Sequence, residues 1–265
     1  MSRYAAMFDR LGEEGAFIPF VVLGDPDPEA SIEVIEALVQ GGADALELGI
    51  PFSDPVADGP VIQAADLRAL AAGTRPSDAF AITTAIRERH PDLPMGLLVY
   101  ANLVEAPGRE RFYCRAAAAG IDSVLVADVP TLECAPYVAA AADAGVEPVL
   151  IATPNASADA LQTIAETSKG YTYVVSRAGV TGTEDEAGLD HGALMSALRE
   201  HAAPPSVLGF GISSPAHVRA ALEAGARGVI SGSAVVRIVA QHLDDAGARR
   251  AALTRFVGEM KDATR

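Results

Sequence analysis

Short apolar runs alternate along this chain with longer stretches in which apolar residues recur three and four positions apart. The short runs fall at 17–23, 45–48, 95–100, 123–126, 148–151, 171–175, 207–210 and 228–231. Largely apolar runs of that length predict parallel strands buried on both faces. The stretches between them, such as EASIEVIEALVQ and SPAHVRAALEAG, have the spacing of amphipathic helices. Four segments share one grammar: QGGADALELG, AAGIDSVLVAD, DAGVEPVLIA and EAGARGVISG. Each ends an Ala-rich helix on glycine, which suits the left-handed position closing a helix, and then enters a strand. Eight such alternations predict an α/β chain folded as a (β/α)8 TIM barrel, with a doubly wound open sheet as the competing arrangement. SRYAAMFDRL and RRAALTRFVGEMKDA read as an extra N-terminal helix and a C-terminal helix covering the barrel ends. With no interdomain linker, residues 1–265 are expected to form a single barrel domain.

Composition narrows the partners. Half of the residues are hydrophobic, and the formal net charge of −15 repels nucleic acid and anionic membrane surfaces. No apolar run approaches about 18 residues, the length needed to span a bilayer, and charge enters the first turns of MSRYAAMFDRLGEE. A soluble cytoplasmic protein is expected. Cys114 and Cys134 lack metal-ligand spacing and read as two reduced structural thiols.

In a barrel of this kind the chemistry sits where the strands end, so polar residues there are informative. In ALELG, the larger Leu46 and Leu48 suit the helix-facing side, and Ala45, Glu47 and Gly49 the crowded interior. Glu47 therefore faces the barrel mouth, among apolar neighbours that raise the pKa of a carboxylate. A structural glutamate, tied to a backbone amide or an arginine, is the other reading. After it, IPFSDPVADGP carries Asp54 and Asp58 on a loop stiffened by Pro51, Pro55 and Pro60. Ordinary turn chemistry accounts for both aspartates as readily as function does, and Asp58 is the better placed of the two to touch a ligand. Glycine-bearing turns follow the last three strands: SRAGVTGTEDE, GFGISSP and SGSAVV. Such turns let backbone N–H groups and a helix N-terminus hold an anion, the parts of a barrel phosphate site. Helix capping by Ser213, Ser214 and Ser233 is the plainer account of the same residues.

Other chemistries lack their residues. The only two lysines, Lys169 and Lys261, lie before a strand and on the last helix, away from the barrel mouth, which argues against an imine mechanism. The histidines (His90, His191, His201, His217 and His242) show no HxH or HExxH spacing, so no metal is expected. No Ser/His/Asp set or GxSxG turn appears. Proton transfer by carboxylates on a phosphorylated small molecule remains.

GAFIPFVVLGDP, ADALELGIPFSDPVADGPVIQAA, LLVYANLV, DSVLVADVP, YTYVVSRAGVTG, GFGISSP and ISGSAVV together resemble, in order and over almost the whole chain, the tryptophan synthase α-subunit family. The resemblance implies retro-aldol cleavage of indole-3-glycerol phosphate to indole and glyceraldehyde 3-phosphate. It makes Glu47 the general acid/base and Asp58 the acceptor of the indole N–H. It puts phosphate contacts on Gly182, Gly211, Gly232 and Ser233, and indole contacts on Phe20, Leu98, Tyr100, Leu125 and Phe210. Tyr173 would stand beside the acid, with Thr181 on a loop that closes over the ligand. It further implies no cofactor on this chain and a β subunit carrying pyridoxal phosphate, joined in an α2β2 heterotetramer through Pro51, Phe52, Asp54, Pro55 and Asn102. The sequence departs from many relatives after YANLV, where EAPGRE replaces an aromatic residue and more polar neighbours, which touches the expected partner contact. The rival readings are a sugar-phosphate isomerase or epimerase and a partner-activating subunit with weak catalysis.

Overall fold

The computed structural model describes residues 1–175 and 191–265. In chain order, helix α1 (Arg3–Leu11) leads to β1 (Ala16–Val22), α2 (Pro28–Gln40), β2 (Leu46–Gly49), α3 (Pro60–Ala71) and α4 (Pro76–Arg89). Next come β3 (Met95–Val99), α5 (Ala101–Glu105), α6 (Arg109–Ala118), β4 (Ser123–Val126), a 3-10 turn (Thr131–Glu133) and α7 (Ala135–Ala144). The second half has β5 (Glu147–Pro148), β6 (Ile151–Ala152), α8 (Ala158–Thr167), β7 (Thr172–Val174), α9 (His191–Glu200), β8 (Ser206–Leu208) and α10 (Pro215–Glu223). It closes with β9 (Gly228–Ser231), α11 (Ser233–Gln241) and α12 (Ala246–Asp262).

All pairings are parallel, in the order β5-β4-β3-β2-β1-β9-β8-β7-β6. The two outermost strands are successive pieces of the single strand expected at 148–151, so one split strand joins both ends of the sheet and completes the (β/α)8 ring. The split has a local cause. Pro148 has no N–H to offer β7, and the N–H of Leu150 donates to Ser168 Oγ at 3.3 Å instead of to a strand carbonyl. The β4 side keeps its bonds from Glu147 N and Val149 N to the carbonyls of Asp122 and Val124.

Alternation divides the apolar residues into two cores, as the pleat requires. Leu46 and Leu48 join the outer core between sheet and helices, whereas Ala45, Ile18, Phe20, Leu125, Tyr171, Tyr173 and Ile230 fill the barrel interior. The repeat glycines behave as expected: Gly42, Gly120, Gly145 and Gly225 all have positive φ, from 70° to 102°. The carboxylates that follow two of them brace the strand starts. Asp44 accepts from Phe17 N at 2.9 Å and pairs with Lys261 at 2.8 Å. Asp122 pairs with Arg3 and Arg87, each at 2.7 Å, and takes Met95 N at 2.8 Å.

Helix α1 closes the end of the barrel where strands begin. Tyr4 enters the interior, its hydroxyl 3.0 Å from Ser123 Oγ and its ring 5.3 Å from that of Tyr171. Helix α12 corrects the expectation that the C-terminal helix covers the other end. It lies on the flank against α2, α10, α11 and β1, and its apolar stripe (Leu253, Val257, Met260) joins the outer core. The cysteines divide too: Cys134 is buried, but Cys114 is exposed, so it is not a core thiol. Lys169, before β7, and Lys261, beside Asp44, both lie at the strand-start end.

Candidate active site

Glu47 sits on β2 in register with Phe20 of β1 and Gly96 of β3, facing the interior, with only 2% of its surface exposed. Gly96 leaves the space this packing needs, since a Cβ there would stand 2.6 Å from Ser123 Oγ and 2.9 Å from the Tyr4 hydroxyl. The partner of Glu47 is neither an amide nor an arginine: the Tyr171 hydroxyl donates to its Oε1 at 3.1 Å. Burial pushes the Glu47 pKa up to about 8, with the Tyr171 hydrogen bond pulling it down and the Asp58 charge raising it. A carboxyl with that pKa keeps its proton at neutral pH.

Asp58 lies at the end of the β2–α3 loop, two residues before Pro60 begins α3. The Tyr100 hydroxyl donates to Asp58 Oδ2 at 2.6 Å and accepts from Ala57 N at 3.2 Å. Burial raises the Asp58 pKa and the Tyr100 bond lowers it. Phe52, earlier in the loop, stacks on Tyr100 at 5.4 Å.

Of the expected indole contacts, Phe20 and Leu125 belong to the interior core, as does Tyr173, and Leu98 and Phe210 pack partly buried against it. The Phe20 ring links acid strand and anion turn, because a Cβ at Gly49 would lie 2.9 Å from it and one at Gly232 would lie 3.4 Å away. Tyr173 reaches across to donate to Gly209 O at 3.1 Å. Burial, then the charges of Glu47 and Asp58, raise the pKa of its phenol and keep it neutral.

The turns after β8 and β9, where an anion is expected, converge. Ser231 Oγ, at the end of β9, donates to Ile212 O at 2.7 Å and ties the β8 loop to it. Gly211 has φ 75° with open space where a Cβ would be. Gly232 is the N-cap of α11, with Ser233 the first helical residue, so no capping side chain covers the first N–H groups of that helix. Ser214 does cap α10, accepting from His217 N at 3.4 Å, as the plainer reading held. Thr181 and Gly182 lie outside the described residues. Asp54 and Asn102 are exposed, Phe52 and Pro55 half-buried, and Pro51 is buried beneath its loop. No group of three or more potential metal ligands occurs among the described residues.

Sequence reasoning missed Tyr171 and Tyr4, which form an aromatic floor under Glu47, and Asp66, a carboxylate on α3 with 5% exposure. The alternation in GYTYVV carried the signal for Tyr171, since an inward Tyr173 makes Tyr171 inward as well.

The family profile described as tryptophan synthase alpha chain matches residues 8–265. The tryptophan synthase alpha chain of Cronobacter sakazakii is 56% identical over 266 residues, covering 100% of this chain and 99% of the relative. That of Vibrio cholerae is 54% identical over 267 residues, with 100% of both chains covered. Among solved structures, the tryptophan synthase subunit alpha of Legionella pneumophila superposes with a TM-score of 0.90 at 30% identity, covering 100% of this chain and 98% of that one. A structure of the tryptophan synthase α2β2 complex from Pyrococcus furiosus gives 0.83 at 33% identity, covering 93% and 98%.

Proposed function

The chain belongs to the tryptophan synthase alpha chain family, and on that premise we propose that it cleaves the carbon–carbon bond of indole-3-glycerol phosphate with Glu47 as acid and base and Asp58 as electrostatic partner. The observation that carries this reading is a buried acid with a pKa of about 8 beside a second carboxylate held by a phenol. Glu47 delivers its proton to C3 of the indole ring, and Asp58 accepts the ring N–H and favours the positive charge that develops there. The resulting Glu47 carboxylate takes the proton of the adjacent glycerol hydroxyl. The carbonyl of glyceraldehyde 3-phosphate forms as the carbon–carbon bond breaks, and its electron pair returns to the cationic ring to give indole. One proton enters and one leaves, so Glu47 is regenerated. The cationic ring is the electron sink, which is why neither lysine is needed at the mouth.

Phe20, Leu98, Tyr100, Leu125, Tyr173 and Phe210 form the indole pocket in this reading. Gly182, Gly211, Gly232 and Ser233 take the phosphate, with Thr181 on the closing loop. The open N-terminus of α11 supports the phosphate assignment. The chain itself carries no cofactor, and pyridoxal phosphate belongs to the β subunit. The α2β2 assembly of the Pyrococcus relative suggests the same partner for this chain. Asp54, Pro55, Phe52, Asn102 and Pro51 lie on or under the expected contact loops. Val56 and Leu132, at 67% and 94% exposure, add apolar surface on loops after β2 and β4. Lying in a cytoplasmic pathway fits a chain in which, among the described residues, no helix is long and apolar enough to cross a membrane.

The test is indole release from indole-3-glycerol phosphate by the purified chain, alone and with a β subunit. Slow release that the partner accelerates is expected, and its absence under both conditions sinks the reading. Asp58→Asn should lower kcat by about 10²-fold, the scale of one lost transition-state contact. A rise in KM alone would make Asp58 a ground-state binding residue.

A further inference from the structure

Asp66 is a buried carboxylate to which the proposed reaction gives no task. It lies two turns into α3, the helix that begins just after Asp58, and it is 5% exposed. Its Oδ1 accepts one long hydrogen bond, from Phe52 N at 3.4 Å, and its Oδ2 is buried with no hydrogen-bond partner among the described residues. The nearby cation is committed elsewhere: Arg68 grips Asp25 with Nε and Nη2, both at 2.8 Å. The charges that bear on Asp66 are therefore those of Asp58, from the loop, and Asp25, after β1. An ionised Asp66 would be a buried charge with no cation of its own, since Arg68 is taken by Asp25, a costly arrangement.

From Asp66 a continuous set of contacts leads to Asp58. Phe52, whose amide Asp66 holds, stacks on Tyr100 with ring centroids 5.4 Å apart and planes 26° from parallel. Tyr100 in turn donates to Asp58 at 2.6 Å and holds Ala57 N on the same loop. We propose that Asp66 is a positioning residue for Asp58: as a neutral carboxylic acid it anchors Phe52, and through the Phe52–Tyr100 stack it fixes the loop that presents Asp58 to the site. This rests on the reading of Asp58 given above. Tyr100 explains why the charge resides on Asp58, which has a strong donor where Asp66 has a weak one. Burial pushes Asp66 up to about 7, and the Asp58 charge adds to the rise.

Two measurements test it. In chain labelled with 13C at aspartate carboxyl carbons and assigned with Asp66→Asn, Asp66 should titrate well above the ordinary carboxylate range, and Asp58→Asn should lower its midpoint. An ordinary midpoint, or one indifferent to Asp58→Asn, overturns the proposal whatever the activity of the enzyme. In steady-state assays with the β subunit, Asp66→Ala should lower kcat about tenfold with KM changed less than twofold. Asp66→Asn, neutral and of the same shape, should restore kcat to within twofold. Equal impairment of both variants, or an unimpaired Asp66→Ala, overturns it. A wild-type chain that releases no indole would instead remove the reading of Asp58 while leaving the titration to decide the coupling.

Discussion

Glu47 makes the protein sensitive to pH in two ways that share one cause. Its folded pKa of about 8 exceeds the ordinary 4.5, so the folded chain holds a proton that the unfolded chain releases. Stability from this group is therefore full at low pH and is lost as pH rises from about 4.5 through about 8. Glu47→Gln removes that loss. At pH 9 its melting temperature should exceed that of the wild type by about 2–4 °C for each ~1 kcal/mol regained, and at pH 5 the two should nearly coincide. Thermal melts at the two pH values check this, and equal melting temperatures at pH 9 would mean that Glu47 ionises without cost. The same variant should abolish indole formation. In the wild type, release should fall as pH rises through about 8, the value at which the acid is lost. Tyr171→Phe should move that falling limb upward, because the phenol favours the ionised form. The orientation of Glu47 was legible, since strand alternation alone turns it inward. Its partner was not, because Tyr171 is 124 residues away and meets it only when the ring is closed. Asp66 was illegible for a related reason: on α3 it is one polar residue among many until the β2–α3 loop folds back over it.

Among the elements, the anion turns and the fifth strand carry the consequences. Ser233 begins α11 beside Gly232, so Ser233→Asp places negative charge where the phosphate would sit and should raise KM for the phosphorylated substrate at least tenfold. An unchanged KM would move the phosphate elsewhere. Gly209 gives way to the Tyr173 ring, as a Cβ there would lie 2.1 Å from it. Gly209→Ala should therefore displace Tyr173 from the acid and lower kcat, with a crystal structure of the variant to show the shifted ring. Most elements were readable because four helix-ending glycines and short, largely apolar runs mark their borders, and the observed ends differ from the expected ones by a residue or two. The fifth strand's break was not readable, because it needs Ser168, brought in from the end of α8. The flank position of α12 was hidden too: periodicity announces an apolar stripe without naming the surface it will cover.

For the molecule as a whole, a net charge of −15 on 265 residues implies self-repulsion that salt screens. The melting temperature should rise by several degrees between 10 mM and 500 mM NaCl, and an unchanged value would show that the ion pairs at the strand starts already offset the excess. The barrel itself was legible from eight alternations of strand and helix, whereas the aromatic floor under Glu47 was not, since nothing in SRYAAMFDRL says that Tyr4 will enter the ring from beneath. Both lysines lie at that same closed end. The chain thus holds both its lysines on the face opposite the proposed site. Amine-reactive coupling to a sensor chip or bead would fix it with the mouth turned toward solution, free to receive substrate and partner alike.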